Sequence, residues 1–291
     1  MASGGSNADT DAAKANGYGA PTVSAPCGVH RGRHAPEKYR HVIWILMENK
    51  SYFQVIGSPE APYINKLARQ CGLAANYWAI AHPSLPNYIA LTSGGAQGVT
   101  DDASPSRHRL DVPSIFSQVG VDWRSLNESM RTNCQQTNDA LYAVRHNPAA
   151  YYTNIRHVCA TRDVPLTAHP ELDARFTFVT PNICHDMHSV CPGSRSELRT
   201  GDAFLSRIVP KLVDSPEYRS GRTAIFLTWD EGGSGPNHVV TEVIAPTVVP
   251  GTRSHVRFTH YSLLHTTEEL LGVPYLGKAG TAPSMRDAFG L

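Results

Sequence analysis

The strongest structural constraint in this sequence is an almost unbroken apolar run, HVIWIL, over residues 41–46. Strands with one face in solvent alternate apolar and polar residues, whereas a continuous run is typical of a strand buried on both faces. Such strands belong to parallel sheets covered by helices on both sides. The runs RFTFVT at 175–180 and TAIFLT at 223–228 predict two further strands of the same sheet.

Segments with helical periodicity separate these strands. We predict helices over 62–71, 112–119, 202–212 and 261–271, and short strands over 121–123 and 242–245. Gly272 is expected to end the last helix. Alternating strands and helices predict an α/β fold, a single domain around a mostly parallel sheet. A chain of 291 residues is long enough to bury one large core.

Composition excludes several classes of protein. Hydrophobic residues make up 41%, charged residues 18%, and the formal net charge is +1, as in folded globular chains. No basic stripe is present, so the sequence argues against nucleic acid as a partner. The apolar runs are too short to form an integral membrane segment. No pattern specifies an oligomeric state.

The six cysteines are even in number and lack the close pairs typical of zinc sites. We therefore predict three disulfides in an exported protein, secreted or periplasmic, over the alternative of six free thiols in a cytosolic one. Six cysteines allow many pairings, and we propose only the local pair Cys184–Cys191. Residues 1–26 contain no apolar core of a signal peptide, and we expect them to be a flexible N-terminal segment of a mature chain.

Polar side chains follow three of the predicted strands directly. The clusters are Glu48 with Asn49, Asp230 with Glu231, and the group Asn182, His185, Asp186 and His188. Because ligands of open α/β sheets bind beyond the carboxyl ends of the strands, we expect the clusters to converge on one site. The first two clusters offer three carboxylates and an amide, which suit a hard divalent cation. Taken singly, the acidic pair also fits a solvated turn and Asn49 a helix cap.

Ser84 is the candidate nucleophile. It lies in the segment HPSLPN at 82–87, where two prolines restrict the backbone and a helix is expected to begin. A serine at that position faces free N–H groups and the positive end of the helix dipole, which together bind phosphate oxygens. A nearby cation lowers the pKa of such a hydroxyl. The local alternative is an ordinary serine N-cap.

Five motifs in this order resemble those of the bacterial phosphoesterase family, which includes acid phosphatases and phospholipases C within the alkaline phosphatase superfamily. They are HVIWILMENKS at 41–51, HPSLPN at 82–87, TPNICHDMH at 180–188, TWDEGG at 228–233, and HYSLL at 260–264 followed by Glu268. The resemblance covers roughly residues 39–276. It implies an alkaline-phosphatase-like α/β/α sandwich, and we expect a phosphoesterase domain over residues 27–291.

The resemblance also implies a role for each matching residue. The implied ligands of a divalent metal ion are Glu48, Asn49, Ser84, Asp230 and Glu231. The implied catalytic residues are the nucleophile Ser84 with His188, His185 and His82, and the implied substrate contacts are Asn87, Asn182 and His238. The segment around Ser84 is also similar to the nucleophile segment of nucleotide pyrophosphatases, which favours Ser84 over Ser51 or Ser93.

Two departures from the family pattern bear on the metal. The first motif often carries Asp where this chain has Gln54, and the acidic motif often carries a histidine where Glu231 leads directly to Gly232. We therefore expect one metal ion rather than two, with Ca, Mg, Mn and Zn all left open.

The resemblance predicts hydrolysis of phosphate monoesters, as in acid phosphatases, through a phosphoserine. The histidines, with an ordinary pKa of about 6.5, suit activity at mildly acidic pH. One alternative is a phosphodiesterase of phospholipase C type, which the lack of an obvious separate membrane-binding domain disfavours. Another is a secreted protein that binds a structural cation without catalysis. A sulfatase is disfavoured because no Cys/Ser-x-Pro-x-Arg string is present.

Overall fold

A computed structural model describes residues 20–29 and 35–291. The strands are β1 (His41–Met47), β2 (Gly72–Ala74), β3 (Tyr77–Trp78), β4 (Trp123–Asn127), β5 (Asp163–Pro165), β6 (Phe176–Thr180), β7 (Thr223–Trp229), β8 (His238–Val239), β9 (Thr241–Ile244), β10 (Arg253–Ser254) and β11 (Phe258–Thr259). The α-helices are α1 (Tyr52–Val55), α2 (Pro62–Gln70), α3 (Ser84–Ser93), α4 (Ile115–Gln118), α5 (Cys159–Arg162), α6 (Glu197–Val213), α7 (Pro216–Arg219), α8 (His260–Leu271) and α9 (Arg286–Phe289). Most of the N-terminal segment predicted to be flexible, residues 1–19, lies outside the described residues.

Eight strands form the central sheet, in the order β10-β2-β9-β7-β1-β6-β4-β5. Strands β7, β1, β6, β4 and β5 pair in parallel, and β9 is the one strand of this sheet that runs antiparallel to its neighbours. The side chains from Val42 to Met47 are all buried at its centre. The predicted α/β fold with a mostly parallel sheet is confirmed.

The structure differs from the predicted elements at several places, and the helix expected over 202–212 begins five residues earlier, at Glu197. The helix expected over 112–119 is only α4, because Ser114 caps it by accepting a hydrogen bond from the Ser117 N–H. The strand expected over 121–123 begins at Trp123 and continues to Asn127. A second sheet, in the order β11-β3-β8, was not predicted, since two-residue strands carry no periodicity.

Three disulfides join Cys27 to Cys71, Cys134 to Cys159, and Cys184 to Cys191. The expected disulfides and the local pair Cys184–Cys191 are therefore confirmed. Disulfides persist in oxidising compartments, so this chemistry fits an exported protein. Among residues 20–29 and 35–291, no helix has both the length and the apolar character needed to cross a bilayer.

Candidate active site

The carboxyl ends of β1 and β7 bring the two acidic clusters together. Met47 is paired with Trp229, so Glu48 and Asp230 are the next residues on adjacent parallel strands. The Asn49 N–H donates to Asp230 Oδ1 at 3.1 Å. The Glu48 N–H donates to the carbonyl of Asp186 at 2.7 Å, which attaches the loop that follows β6. All three predicted clusters thus contribute residues to one place.

Helix α3 begins at Ser84 and directs two hydroxyls at Glu48. The Ser84 hydroxyl donates to Glu48 Oε2 at 2.9 Å, and the Tyr88 hydroxyl donates to Oε1 at 2.6 Å. Residues four apart lie on the same face of a helix, which is why both reach one carboxyl group. Asn49 Nδ2 also donates to Glu48 Oε2, at 2.8 Å. Pro83 occupies the N-cap position, so Ser84 is not an ordinary cap.

The start of α3 is held by side chains around it. Asp102 accepts the Leu85 N–H at 2.9 Å, and Pro86 has no N–H, so the helix offers fewer phosphate donors than the sequence suggested. The Asn87 amide bonds the backbone of Ile80, Ala81 and Pro83. Asn87 therefore positions the loop that carries Ser84, and its contact with substrate stays a prediction.

Backbone conformation also shapes the rim. Asn49 adopts a left-handed conformation with φ of 56°, which asparagine tolerates better than most residues. Glycine is required at 232, where an added Cβ would lie 2.3 Å from the carbonyl oxygen of Pro236. Asn49 does not cap a helix, because Ser51 occupies the N-cap position of α1.

The site concentrates acidic groups away from solvent. Glu48, Asp186 and Asp230 are fully buried, and Glu231 is nearly so, which excludes a solvated acidic turn. Burial is the largest cause that raises the pKa of each, and neighbouring carboxylates raise the pKa of Glu48 and Asp230 further. Asp230 Oδ2 has no hydrogen-bond partner. A bound cation would compensate this buried charge.

The donor set fits a hard cation rather than a soft one. Among the residues described, no three His, Cys, Asp or Glu side chains are grouped as a metal site. The candidate set instead combines the carboxylates of Glu48 and Asp230 with the oxygens of Ser84 and Asn49, which suits Ca²⁺, Mg²⁺ or Mn²⁺. The unpartnered oxygen of Asp230 is the atom that such a cation would satisfy.

His82 lies beside the second acidic residue. Its Nδ1 is 2.5 Å from Glu231 Oε2, a contact that becomes an ion pair when the imidazole is protonated. Burial raises the pKa of Glu231, and His82 opposes that rise. The imidazole is half-exposed, so it is accessible to substrate and solvent.

Sequence reasoning missed His146, which is buried between two acidic residues. Its Nε2 is 3.3 Å from Glu48 Oε1 and its Nδ1 is 3.0 Å from Asp186 Oδ2, although neither contact has hydrogen-bond geometry. The ring stacks on Tyr88 with centroids 5.5 Å apart. Burial lowers the pKa of His146 well below its ordinary value. A lone histidine in a loop gave no signal of this placement.

Arg145 was missed as well, and it links His188 to the start of α3. Its Nη2 lies 3.1 Å from His188 Nε2, and its Nε lies 3.7 Å from Asp102 Oδ2. Burial lowers the pKa of His188 to about 4, helped by the nearby charges of His146 and Arg145. His188 is therefore neutral at mildly acidic pH, and Arg145 supplies the positive charge beside it.

The remaining predicted residues lie around this centre. His185 bonds Glu128 at 2.8 Å and stacks on Phe204, and Asn182 bonds the backbone of Cys184 and His185. His238 stacks on Tyr52 and Trp78, at 4.6 and 5.0 Å between centroids. No contact of these three side chains with Ser84 is seen, and their parts in catalysis or binding stay predictions. His260 supports the centre, because its Nε2 lies 2.7 Å from the carbonyl oxygen of Asp230.

Comparison with known proteins shows which family this chain resembles. A profile described as the Phosphoesterase family matches residues 58–274. The phosphatidylinositol-3-phosphatase of Mycobacterium tuberculosis is 31% identical over 265 residues, covering 87% of this chain and 83% of that protein. A probable acid phosphatase of Kluyveromyces lactis is 24% identical over 82% of this chain, which spans 60% of that protein. A member of the alkaline phosphatase superfamily from Vibrio parahaemolyticus has a similar fold, with a TM-score of 0.58 at 12% identity, covering 94% of this chain and 74% of its own. Because the family profile and the mycobacterial relative each match most of its length, the chain belongs to the phosphoesterase family.

Proposed function

We propose that this chain hydrolyses phosphate monoesters with Ser84 as the nucleophile and one divalent cation as the cofactor. The main support is the bond from the Ser84 hydroxyl to buried Glu48, beside an oxygen of Asp230 that has no hydrogen-bond partner. The phosphatase names of the relatives support ester hydrolysis in general. Three disulfides support a secreted or extracellular location.

Five residues would hold the cation: Glu48, Asn49, Ser84, Asp230 and Glu231. Their ligand atoms are carboxylate, amide and hydroxyl oxygens, the donors that hard divalent cations prefer. When bound, the cation lowers the pKa of the serine hydroxyl and stabilises negative charge on the phosphoryl group.

Ser84 and Glu48 begin the first step. Ser84 Oγ attacks phosphorus while the bond from phosphorus to the ester oxygen breaks. The hydroxyl proton is first held against Glu48 Oε2. It then passes by way of the carboxylates and solvent to the departing alkoxide, which leaves as an alcohol. A water molecule then attacks the phosphoserine, so that Ser84 regains its proton and inorganic phosphate is released.

Arg145 and His188 are the side chains that we assign to the phosphoryl oxygens. The Arg145 guanidinium has several N–H donors, and neutral His188, whose Nε2 accepts from Arg145, carries its one N–H on Nδ1, 2.9 Å from the Ser189 hydroxyl. Their contact at 3.1 Å holds the two side chains together, and Arg145 also reaches Asp102, which bonds the start of α3. The guanidinium donors of Arg145 would compensate for those that the helix itself lacks, since Asp102 occupies the Leu85 N–H.

The decisive test is Ser84→Ala, with Ser93→Ala as the matched control. Ser93 is equally buried at the other end of α3, and its hydroxyl bonds the carbonyls of Ile89 and Gly95 and accepts from the Gln97 amide, with no carboxyl group among these partners. Ser84→Ala should lower kcat on a chromogenic monoester by at least about a thousandfold, whereas Ser93→Ala should retain it within about threefold. Circular dichroism checks that both variants fold. Unchanged turnover in folded Ser84→Ala contradicts the proposal.

A second candidate function is a phosphodiesterase of phospholipase C type, since the family includes both classes. The name of the mycobacterial relative adds phosphoinositide monoesters to the candidate substrates. The ratio of kcat/KM on 4-nitrophenyl phosphate to kcat/KM on a choline phosphodiester separates the classes. A ratio above about 100 supports the monoesterase, and a ratio below one supports the diesterase.

A further inference from the structure

A stack of planar side chains stands at the rim of the site and has no part in the proposed chemistry. The rings of Tyr52 and His238 are parallel within 5°, and those of His238 and Trp78 within 19°. The Arg257 guanidinium lies 4.9 Å from the centroid of Trp78. Phe53 contacts the edge of this aromatic stack, at 5.4 Å from Tyr52 and 5.5 Å from His238.

Phe53 is the unusual member, because 80% of its surface is exposed. Large aromatic rings normally bury their faces, and an exposed one beside other rings is a ready contact for a planar group. The ring makes edge contacts with Tyr52 and His238, and most of its surface is open to solvent. Within the aromatic stack Tyr52 is buried and Trp78 and His238 are half-buried, and His238 Nε2 lies 2.9 Å from the carbonyl oxygen of Ala75, which helps to hold the stack in place.

Chain connectivity ties the aromatic stack to the catalytic centre at three points. Tyr52 comes three residues after Asn49, Trp78 six residues before Ser84, and His238 seven residues after Glu231. A bridge between Ser51 and Val239 joins the first and third segments. Asn237 then joins the third and second, because its amide bonds the Ala81 carbonyl and the Gly232 N–H.

We infer that Phe53 and the aromatic stack bind a planar aromatic group on the alcohol side of the ester. The site would therefore select aryl or nucleoside phosphates over aliphatic ones. This inference rests on the proposed function, because it assigns the substrate class of the same centre. A lipid surface is the less favoured occupant, since Phe53 is the one strongly exposed large apolar side chain seen in contact with the stack.

Binding to an inactive protein tests the inference independently of turnover. Calorimetric titration of Ser84→Ala with 2-naphthyl phosphate and with glycerol 3-phosphate gives two Kd values, in the presence of Mn²⁺. Adding Phe53→Ala should raise the Kd for the naphthyl ester by about 3- to 10-fold and change the Kd for the glycerol ester by less than about twofold. Phe53→Tyr should restore tight binding. Phe53 is exposed, so its removal does not threaten the fold.

Tyr275→Ala is the matched control. Tyr275 is also exposed and also stacks on a histidine, His265, at 4.3 Å, but it lies at the far end of α8 from His260. It should leave both Kd values unchanged. If Phe53→Ala weakens the binding of both esters equally, or of neither, the inference is overturned. It is also overturned if Phe53→Ala weakens only the binding of the protein to vesicles of phosphatidylcholine and phosphatidylserine. Wild-type protein that binds the naphthyl ester but hydrolyses neither ester counts against the proposed function alone.

Discussion

The hydroxyl of Tyr88 offers a direct test of the ligand cluster. It donates to Glu48 Oε1 at 2.6 Å, and both side chains are fully buried. Tyr88→Phe removes this donor and keeps a ring to stack on His146. A hydrogen bond to a charged group contributes about 1.5–3 kcal/mol, which corresponds to roughly 10- to 150-fold in an equilibrium constant. Removing a group that supports a metal ligand has a similar cost, about 10- to 100-fold in affinity. We expect Tyr88→Phe to raise the Kd for Mn²⁺ by about 10- to 100-fold.

Thermal unfolding at increasing Mn²⁺ concentration measures this shift without relying on turnover. The control is Tyr152→Phe, because Tyr152 is equally buried but bonds the hydroxyl of Thr92, at 2.7 Å, rather than a carboxyl group. The control should lose about 0.5–1.5 kcal/mol of stability at every Mn²⁺ concentration. The Mn²⁺ concentration at which half of the stabilisation by Mn²⁺ is reached should stay the same. If this half-maximal Mn²⁺ concentration is unchanged in Tyr88→Phe, or shifts equally in both variants, Glu48 is not a ligand.

Two further predictions concern a buried carboxyl group in the central sheet and the loop after Glu231. Glu242 is fully buried with neither carboxyl oxygen bonded, and burial and then Asp202 raise its pKa well above the ordinary value. Its cost to stability is therefore absent below the unfolded pKa of about 4.5 and grows as the pH rises toward the folded pKa. The stability of Glu242→Gln relative to wild type should increase by up to about 1.4 kcal/mol per pH unit above that point, measured by urea unfolding at pH 4 to 7; a difference that does not vary with pH contradicts the assignment. Gly232→Ala should lower kcat/KM while keeping most of the stability, because its Cβ would lie 2.3 Å from the Pro236 carbonyl oxygen and displace the loop after Glu231. Gly235→Ala is the control, since the nearest atom to its added Cβ is 3.9 Å away, and it should have little effect on kcat/KM. Equal losses of kcat/KM in the two variants contradict the steric argument.

The central fold was predictable because its strands are buried on both faces. The apolar runs at 41–46, 175–180 and 223–228 are short and typical of buried strands, so the type of element was predictable, whereas their spatial order in the sheet was not predicted. Strands of two or three residues, such as β3 and β8, carry no such pattern and form only because longer elements hold them. Similarly, Cys184–Cys191 is local, whereas Cys27 and Cys71 meet only after α2 has packed.

The candidate site was predictable only where its residues adjoin a strand end. Glu48 and Asp230 do so, and the fold brings them together. Arg145 and His146 lie in a 3₁₀ turn within a long irregular segment, where nothing local distinguishes them from surface residues. His185 illustrates the opposite difficulty, because its neighbour Asp186 faces the centre while His185 bonds Glu128. Adjacent side chains of a tight turn diverge, and the sequence does not reveal which of them points inward.

Strand register, more than either motif, sets the spacing of the candidate ligands. Strands β1 and β7 pair without interruption from His41 with Thr223 to Met47 with Trp229, and the two carboxylates follow immediately. A shift of one residue would displace one carboxylate by about 3.3 Å along the strand. That displacement exceeds the whole length of a cation–oxygen bond, which is about 2.0–2.6 Å. Apolar side chains that never touch a substrate therefore decide whether Glu48 and Asp230 can share a cation.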